Sequence, residues 1–181
     1  GVIADFDLTE AMLNYFIKKV NGKNILSKPR ILICCPSNIT TVEKNAIKEA
    51  AERTGAKRVY IEEEPKVAAI GAGMDISKPS GNMVIDIGGG TTDIAILSLG
   101  GIVESASIRV AGNAFDNDII KYIKDKYKLL VGERTAEDIK ITIGTVFPGS
   151  RNEKMEVRGR DLVTGLPHTI TLTSDEIEEA L

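Results

Sequence analysis

The chain has 181 residues, 43% of them apolar and 27% charged, with a net charge of −3. This length buries a core, and the composition is that of an ordinary globular protein. The slightly acidic balance gives no electrostatic reason to expect nucleic acid as a partner, and no apolar run reaches the length of a membrane span. Cys34 and Cys35 are adjacent in a strand-like run. They should point to opposite faces, which argues against a shared metal or an ordinary disulfide and predicts a reducing, cytoplasmic compartment. A single histidine, His168, and the lack of any Cys/His cluster argue against a zinc site. The sequence starts without methionine and stops inside a helical pattern. It is expected to be a piece of a longer chain.

In chain order, Met12, Leu13, Phe16, Ile17 and Val20 recur at helical spacing, which predicts an amphipathic helix from about Glu10 to Asn21-Gly22. Asn24-Ile25-Leu26-Ser27 is a turn carrying two large apolar residues, which either tuck under the loop or form a small apolar tip. Arg30–Cys35 is a continuous apolar run, predicted as a buried strand and broken by Pro36. Thr40 and Glu43 form a capping box, followed by an apolar face of Val42, Ala46, Ile47, Ala50 and Ala51, with Gly55 as the helix stop. A short strand, Arg58–Ile61, leads to Glu64-Pro65 and an alanine-rich helix. Proline suits the first helical turn, so Glu64 should stand at the helix N-terminus. To this point the order is helix, strand, helix, strand, helix, which predicts an α/β fold with parallel pairing.

The pattern then changes, with the likeliest boundary in 73–82. Met83–Ile87, Ile94–Leu97 and Ile102–Val110 predict an antiparallel meander, with Gly100-Gly101 turning between its last two strands. Phe115, Ile119, Ile123 and Tyr127 predict a helix. Thr135-Ala136-Glu137-Asp138 reads as a capping box opening another helix that runs to about Gly144. Two alternating strands around Met155–Val157 and Thr169–Leu172 are joined by Thr164–Pro167, and Ser174 is expected to cap a last helix.

The richest segment is Asp86-Ile87-Gly88-Gly89-Gly90-Thr91-Thr92-Asp93. Glycines let backbone N–H groups approach an anion, threonine hydroxyls add donors, and two carboxylates suit a hard cation such as Mg²⁺. The segment is not a Walker loop, because no Gly-Lys-Ser/Thr follows, and no helix opens directly after it as a dinucleotide fingerprint requires. A plain tight turn is the alternative. Glu64, taken alone, is a helix-terminal carboxylate stabilised by about 0.3–1 kcal/mol. Its place after a parallel strand raises its interest, because ligands of open α/β sheets gather there. Glu137 and Lys140 lie one helical turn apart, and on spacing alone they read as an exposed ion pair.

These residues together resemble the actin, Hsp70 and sugar-kinase superfamily of ATPases. Asp86–Asp93 is similar to its second phosphate motif, and Glu64-Pro65 with the helix after it to its connecting helix. The likeness is closer to the MreB-type bacterial actins. Gly1–Asp5, Glu63–Pro65, Ser80–Met83, Gly132–Glu137, Gly159–Asp161 and Thr164–Pro167 all resemble segments of that family and span nearly the whole chain. Ile33–Pro36 and Glu62–Lys66 are most similar to its Mbl branch.

The resemblance implies an actin-like ATPase (ribonuclease H-like) α/β fold. Residues 1–75 would be the later part of subdomain IA with the connecting helix, 76–131 the first part of IIA, and 132–181 a truncated IIB. It implies ATP with Mg²⁺ in a cleft between two halves. Gly88, Gly89, Gly90, Thr91 and Thr92 would contact phosphates, and Asp86 and Asp93 would hold Mg²⁺ through water. Glu64 would orient the attacking water. Gly112 would approach the nucleotide, and Glu137, Asp138, Ile139 and Lys140 would line the adenosine pocket. Ile25 and Leu26 would touch the membrane. The implied function is an ATP-dependent filament protein that determines rod cell shape by organising side-wall peptidoglycan synthesis. It would lie on the inner face of the cytoplasmic membrane, with itself and membrane proteins of the elongation machinery as partners. The alternatives are an Hsp70-like chaperone ATPase, a metabolite kinase of the same fold, and a non-catalytic assembly fragment. Two departures bear on activity. The family's first phosphate loop and its later adenosine loop are absent from this sequence, so the piece alone is expected to bind ATP weakly or not at all and to be inactive. Asn113 also stands where members carry an acidic residue.

Overall fold

A computed structural model describes residues 6–21, 28–37 and 39–181. The chain forms two compact units, residues 1–109 and 110–181.

In the first unit, α1 (Phe6–Asn21) is followed by β1 (Arg30–Cys35), α2 (Thr41–Arg53), β2 (Arg58–Glu63) and α3 (Glu64–Gly71). β1 and β2 pair in parallel with Cys35 opposite Glu63. The predicted α/β start is therefore observed, and both strands end where α3 begins. Thr40 caps α2 through a complete capping box with Glu43, and Gly55 follows at φ +92°. That left-handed conformation is open to glycine at little steric cost. Burial departs from the expected helix faces. Ile47, Ala50 and Ala51 are buried, but Val42 is 78% exposed. On α1, Met12, Phe16 and Val20 are also exposed. Periodicity marks which residues share a face; it does not supply the layer that covers it.

The meander follows as β3 (Asn82–Ile87), β4 (Thr92–Ser98) and β5 (Gly101–Ile108), antiparallel in the order β3-β4-β5. Leu99 at φ 53° and Gly100 at φ 76° make the β4–β5 turn. Two successive left-handed residues match the twist of a hairpin. Ala69, Ile76 and Leu97 form a small core, with Met74, Val84 and Ile102 packed against it. α3 packs on β3 and β4 as well as on β1 and β2. This is why no compact-unit boundary falls in 73–82. The alternate residues Met83, Ile85 and Ile87 remain more than half exposed.

The second unit contains α4 (Gly112–Tyr127), β6 (Leu129–Leu130), α5 (Glu133–Ile143), β7 (Lys154–Asp161), β8 (Pro167–Thr173) and α6 (Ser174–Ala180). β6, β7 and β8 form an antiparallel sheet in that order. Its core is Ile119 and Ile123 from α4, Ile139 and Ile143 from α5, Val157 and Leu172 from the sheet, and Ile177 from α6. β6 escaped the sequence reading because two residues carry no periodicity. Gly159 explains the close approach of β6 to β7: a Cβ there would meet the Leu130 carbonyl oxygen at 2.6 Å.

Two helix starts differ from expectation. α5 begins at Glu133 with Gly132 as N-cap, so Thr135 lies inside the first turn and caps nothing. The Gly132 carbonyl accepts from Ala136 N–H at 3.0 Å, which already closes the first turn. Thr173, rather than Ser174, caps α6, in a reciprocal box with Glu176. Thr173 is the last residue of β8, so its extended backbone is the one an N-cap needs. Replacing Thr173 with alanine is expected to lower stability by about 1 kcal/mol in denaturant unfolding, whereas Thr135→Ala should change it by no more than about 0.5 kcal/mol.

Candidate functional site

The hairpin between β3 and β4 is closed by Gly88 N–H donating to the Thr91 carbonyl at 2.9 Å. The antiparallel register places Asp86 directly opposite Asp93, and Ile87 opposite Thr92. Like charges opposed across a ladder repel each other. The arrangement is stable in isolation only at a cost, and a cation between the carboxylates relieves it. Asp93 is 2% exposed, and its Oδ1 is buried with no hydrogen-bond partner among the described residues. A buried carboxylate oxygen without a donor needs compensation.

Glu64 supplies a third carboxylate, placed by the end of β2 and the first turn of α3. Glu64, Asp86, Gly88, Thr91 and Asp93 line one cavity of about 260 Å³. That is smaller than a typical pocket for a whole drug-sized ligand and suits a phosphate group with a hydrated ion. Burial pushes the Glu64 carboxyl above its ordinary value, and the negative charges of Asp93 and Asp86 add to the effect. Perturbation by burial together with neighbouring charge, inside a cavity, marks a functional-site candidate.

The donor set fits Mg²⁺ held loosely. Among the described residues, no three His, Cys, Asp or Glu side chains are grouped closely enough to cage an ion. Mg²⁺ keeps most of its waters and takes one or two carboxylates, with phosphates completing its shell. Asp86 and Asp93 offer that pair.

The glycines bear on the plain-turn alternative. A tight two-residue hairpin turn uses glycine for left-handed backbone. Neither Gly88 nor Gly90 adopts a positive φ. A Cβ on Gly90 would meet nothing within 4 Å, so the space beside this backbone is open. Gly90→Ala should therefore fold normally. If an anion occupies that space, the variant in the full-length protein loses ATP affinity by about tenfold, read by calorimetry.

The second unit holds the other named residues. Glu137 and Asp138 are exposed on α5. Ile139 is wholly buried in the core, so its side chain packs there and lines no open pocket. Lys140 is partly buried and pairs with Asp116 at 2.8 Å, not with Glu137. It also donates to the Gly112 carbonyl at 3.3 Å. The simple Glu137–Lys140 surface pair suggested by spacing is thus replaced by a bridge from α5 to α4. The sequence reading missed Asp116; its signal was Phe115-Asp116 within the first turns of α4, which helix periodicity alone does not single out. Ile25 and Leu26 lie outside the described residues. Burial raises the pKa of both free cysteine thiols, with Glu64 adding to the effect, so neither is an activated nucleophile. Among the described residues, no helix is long and apolar enough to cross a membrane.

A family model described as "MreB/Mbl protein" matches residues 1–181. The chain is 70% identical over 181 residues to the cell shape-determining protein Mbl of Bacillus cereus, covering 100% of this chain and 54% of that protein. It spans about half the length of the curated relatives it matches. A crystal structure of MreB5 of Spiroplasma citri bound to ADP superposes with a TM-score of 0.92 at 44% identity, over 99% of this chain and 54% of that one. The MamK double helical filament superposes with a TM-score of 0.79 at 20% identity, also over 99% and 54%, a likeness of fold. The fold is therefore actin-like. None of these relatives is a chaperone or a metabolite kinase.

Proposed function

The chain belongs to the MreB/Mbl family, and from that premise we propose that it carries the second phosphate and Mg²⁺ clamp of an ATP-dependent, filament-forming protein that determines cell shape. The observation that carries the reading is the meeting of Glu64, Asp86, Gly88, Thr91 and Asp93 around one cavity. Gly88, Gly89, Gly90, Thr91 and Thr92 would hold phosphate oxygens through backbone N–H groups and hydroxyls. Asp86 and Asp93 would hold Mg²⁺ through its waters. The metal would offset the negative charge building on the phosphoryl oxygens. Glu64 would accept a hydrogen bond from the attacking water and aim it in line with the bond to be broken. Gly112, Glu137, Asp138, Ile139 and Lys140 would serve the adenosine end. The ADP named for the MreB5 structure supports nucleotide binding as such.

Residues 1–75 would be the later part of subdomain IA with the connecting helix, 76–131 the first part of IIA, and 132–181 IIB truncated at its C-terminal end. The full-length protein would be a slow Mg-ATPase whose turnover is coupled to polymerisation. This chain alone would bind nucleotide weakly or not at all. Self-assembly is supported by the filament named for MamK, and the shape-determining role by the Mbl relatives. Peripheral attachment to the inner face of the cytoplasmic membrane through Ile25 and Leu26, with partners in the elongation machinery, completes the proposal.

Sedimentation of the full-length protein tests the function. Pelleted filaments are expected with ATP and Mg²⁺; a protein that binds ATP but never pellets contradicts the filament reading. Liposome co-sedimentation tests the membrane reading, with Ile25→Ser and Leu26→Ser combined expected to remove most binding. Unchanged binding would overturn it.

A further inference from the structure

Glu64 lines its cavity with Asp86, Gly88, Thr91 and Asp93. Among the described residues, neither a hydrogen bond nor an ion pair holds its carboxylate. Its place is therefore set by the backbone that carries it and by the walls of the cavity. That backbone is a junction. β2 ends at Glu63 and α3 starts at Glu64, with Glu63 as an extended N-cap (φ −81°, ψ 134°) that makes no side-chain cap hydrogen bond. Pro65 fixes φ at its own position and brings no N–H. A helix start of this kind lacks the side-chain tie that an N-cap normally supplies.

An ion pair runs across the junction instead. Lys66 Nζ lies 3.1 Å from Glu62 Oε2, and Glu62 Oε1 accepts from the Glu63 N–H at 3.4 Å. Inside a helix, side chains four positions apart are neighbours by construction. Glu62 belongs to β2, so here the contact depends on the angle at which the chain turns from strand to helix. Its carboxylate reaches both sides of Glu64: the N-cap N–H before it and the Lys66 ammonium after it. The Lys66 and Glu62 side chains are 29% and 38% exposed. That exposure leaves the pair open to screening by salt and makes it a weak contributor to folding.

We propose that Glu62 and Lys66 are positioning residues for Glu64: the pair straps the β2–α3 junction and so holds the Glu64 carboxylate where it meets the attacking water. This rests on the reading of Glu64 as the residue that orients that water. Neither Glu62 nor Lys66 lines the cavity. The strap therefore acts on the rate of hydrolysis and leaves nucleotide binding alone. A small misplacement of a reacting group is enough to slow a reaction, and a partly exposed ion pair biases a geometry by a few-fold.

The test uses the full-length protein and measures single-turnover phosphate release, equilibrium ATP affinity and pelleting with AMPPNP. Lys66→Met keeps the length of the stem and removes the charge. It is expected to slow release about fivefold, with ATP affinity and pelleting unchanged. Glu62→Gln should do the same, and the two together should lose no more than either alone. Lys66→Arg should restore most of the wild-type rate. Raising KCl tenfold should narrow the gap between the wild type and Lys66→Met. In a Glu64→Gln background, Lys66→Met should add nothing, because the strap acts through Glu64. A wild-type rate in Lys66→Met overturns the proposal. So does an equal loss in the Glu64→Gln background, a failure of Lys66→Arg to restore the rate, or a loss that falls on ATP affinity or pelleting. A wild-type rate in Glu64→Gln itself would instead overturn the functional reading beneath it.

Discussion

Replacing Glu64 with glutamine in the full-length protein is expected to slow phosphate release about a hundredfold while leaving ATP affinity within about threefold. The carboxylate acts on the attacking water, which is committed only in the transition state, so its loss falls on kcat. A carboxamide keeps the shape of the side chain and its place at the start of α3. What it loses is the negative charge and the acceptor strength that orient a water for in-line attack. Single-turnover phosphate release, measured beside equilibrium ATP binding, separates the two effects. A variant that releases phosphate at the wild-type rate would remove Glu64 from the mechanism.

The same residue predicts a pH dependence. Glu64 must be ionised to accept from the water, and burial, with Asp93 and Asp86 adding, raises its pKa above 4.5. The rate should therefore fall as pH drops through that raised value, at a higher pH than an ordinary carboxylate would impose. The effect on stability has the opposite sign. Between 4.5 and the raised value the folded state binds the extra proton, so this group's contribution is full at low pH and is lost as pH rises through the window. Bound cation should shrink the effect by lowering the field of the neighbouring carboxylates.

Asp93→Asn in the full-length protein is expected to cost about a hundredfold in affinity for ATP in the presence of Mg²⁺ and far less in its absence. Asp93 is the deeply buried member of the opposed pair, and its Oδ1 has no donor among the described residues. Removing its charge relieves the repulsion from Asp86, so the apo protein should be as stable as the wild type or more stable. A loss of cation dependence together with unchanged or raised stability is a signature that general damage to the fold does not give. Titration of Mg²⁺ dependence, paired with denaturant unfolding, reads both. Equal losses with and without Mg²⁺ would move Asp93 from the metal to the fold.

Much of this arrangement was legible in the sequence because it is local. The β3–β4 hairpin joins two apolar runs through glycine, so Asp86 and Asp93 had to meet across a ladder once the strands paired. Glu64-Pro65 fixed the start of α3 because proline sits easily only in a first helical turn. What remained hidden depends on packing between distant residues. The Lys140–Asp116 bridge joins α5 to α4 across 24 positions of sequence, and no spacing rule predicts it. The burial of Ile139 follows from a core drawn from three helices and a sheet. The exposed faces of α1 and β3 depend on which layer lies above them, which periodicity does not state. The two misplaced caps arose from hydroxyls beside glycine or an extended residue, where the backbone conformation, rather than the side chain, decides the N-cap.

The central claim is that the cavity bounded by Glu64, the glycine hairpin and the two aspartates is the seat of the terminal phosphates and their metal. A structure of the full-length protein with AMPPNP and Mg²⁺ tests it most directly. The γ-phosphate is expected against the backbone of Gly88–Thr91, the metal within one water of Asp86 and Asp93, and a water between Glu64 and the phosphorus. A nucleotide bound with its phosphates away from this hairpin, or a metal held by other residues, would contradict it.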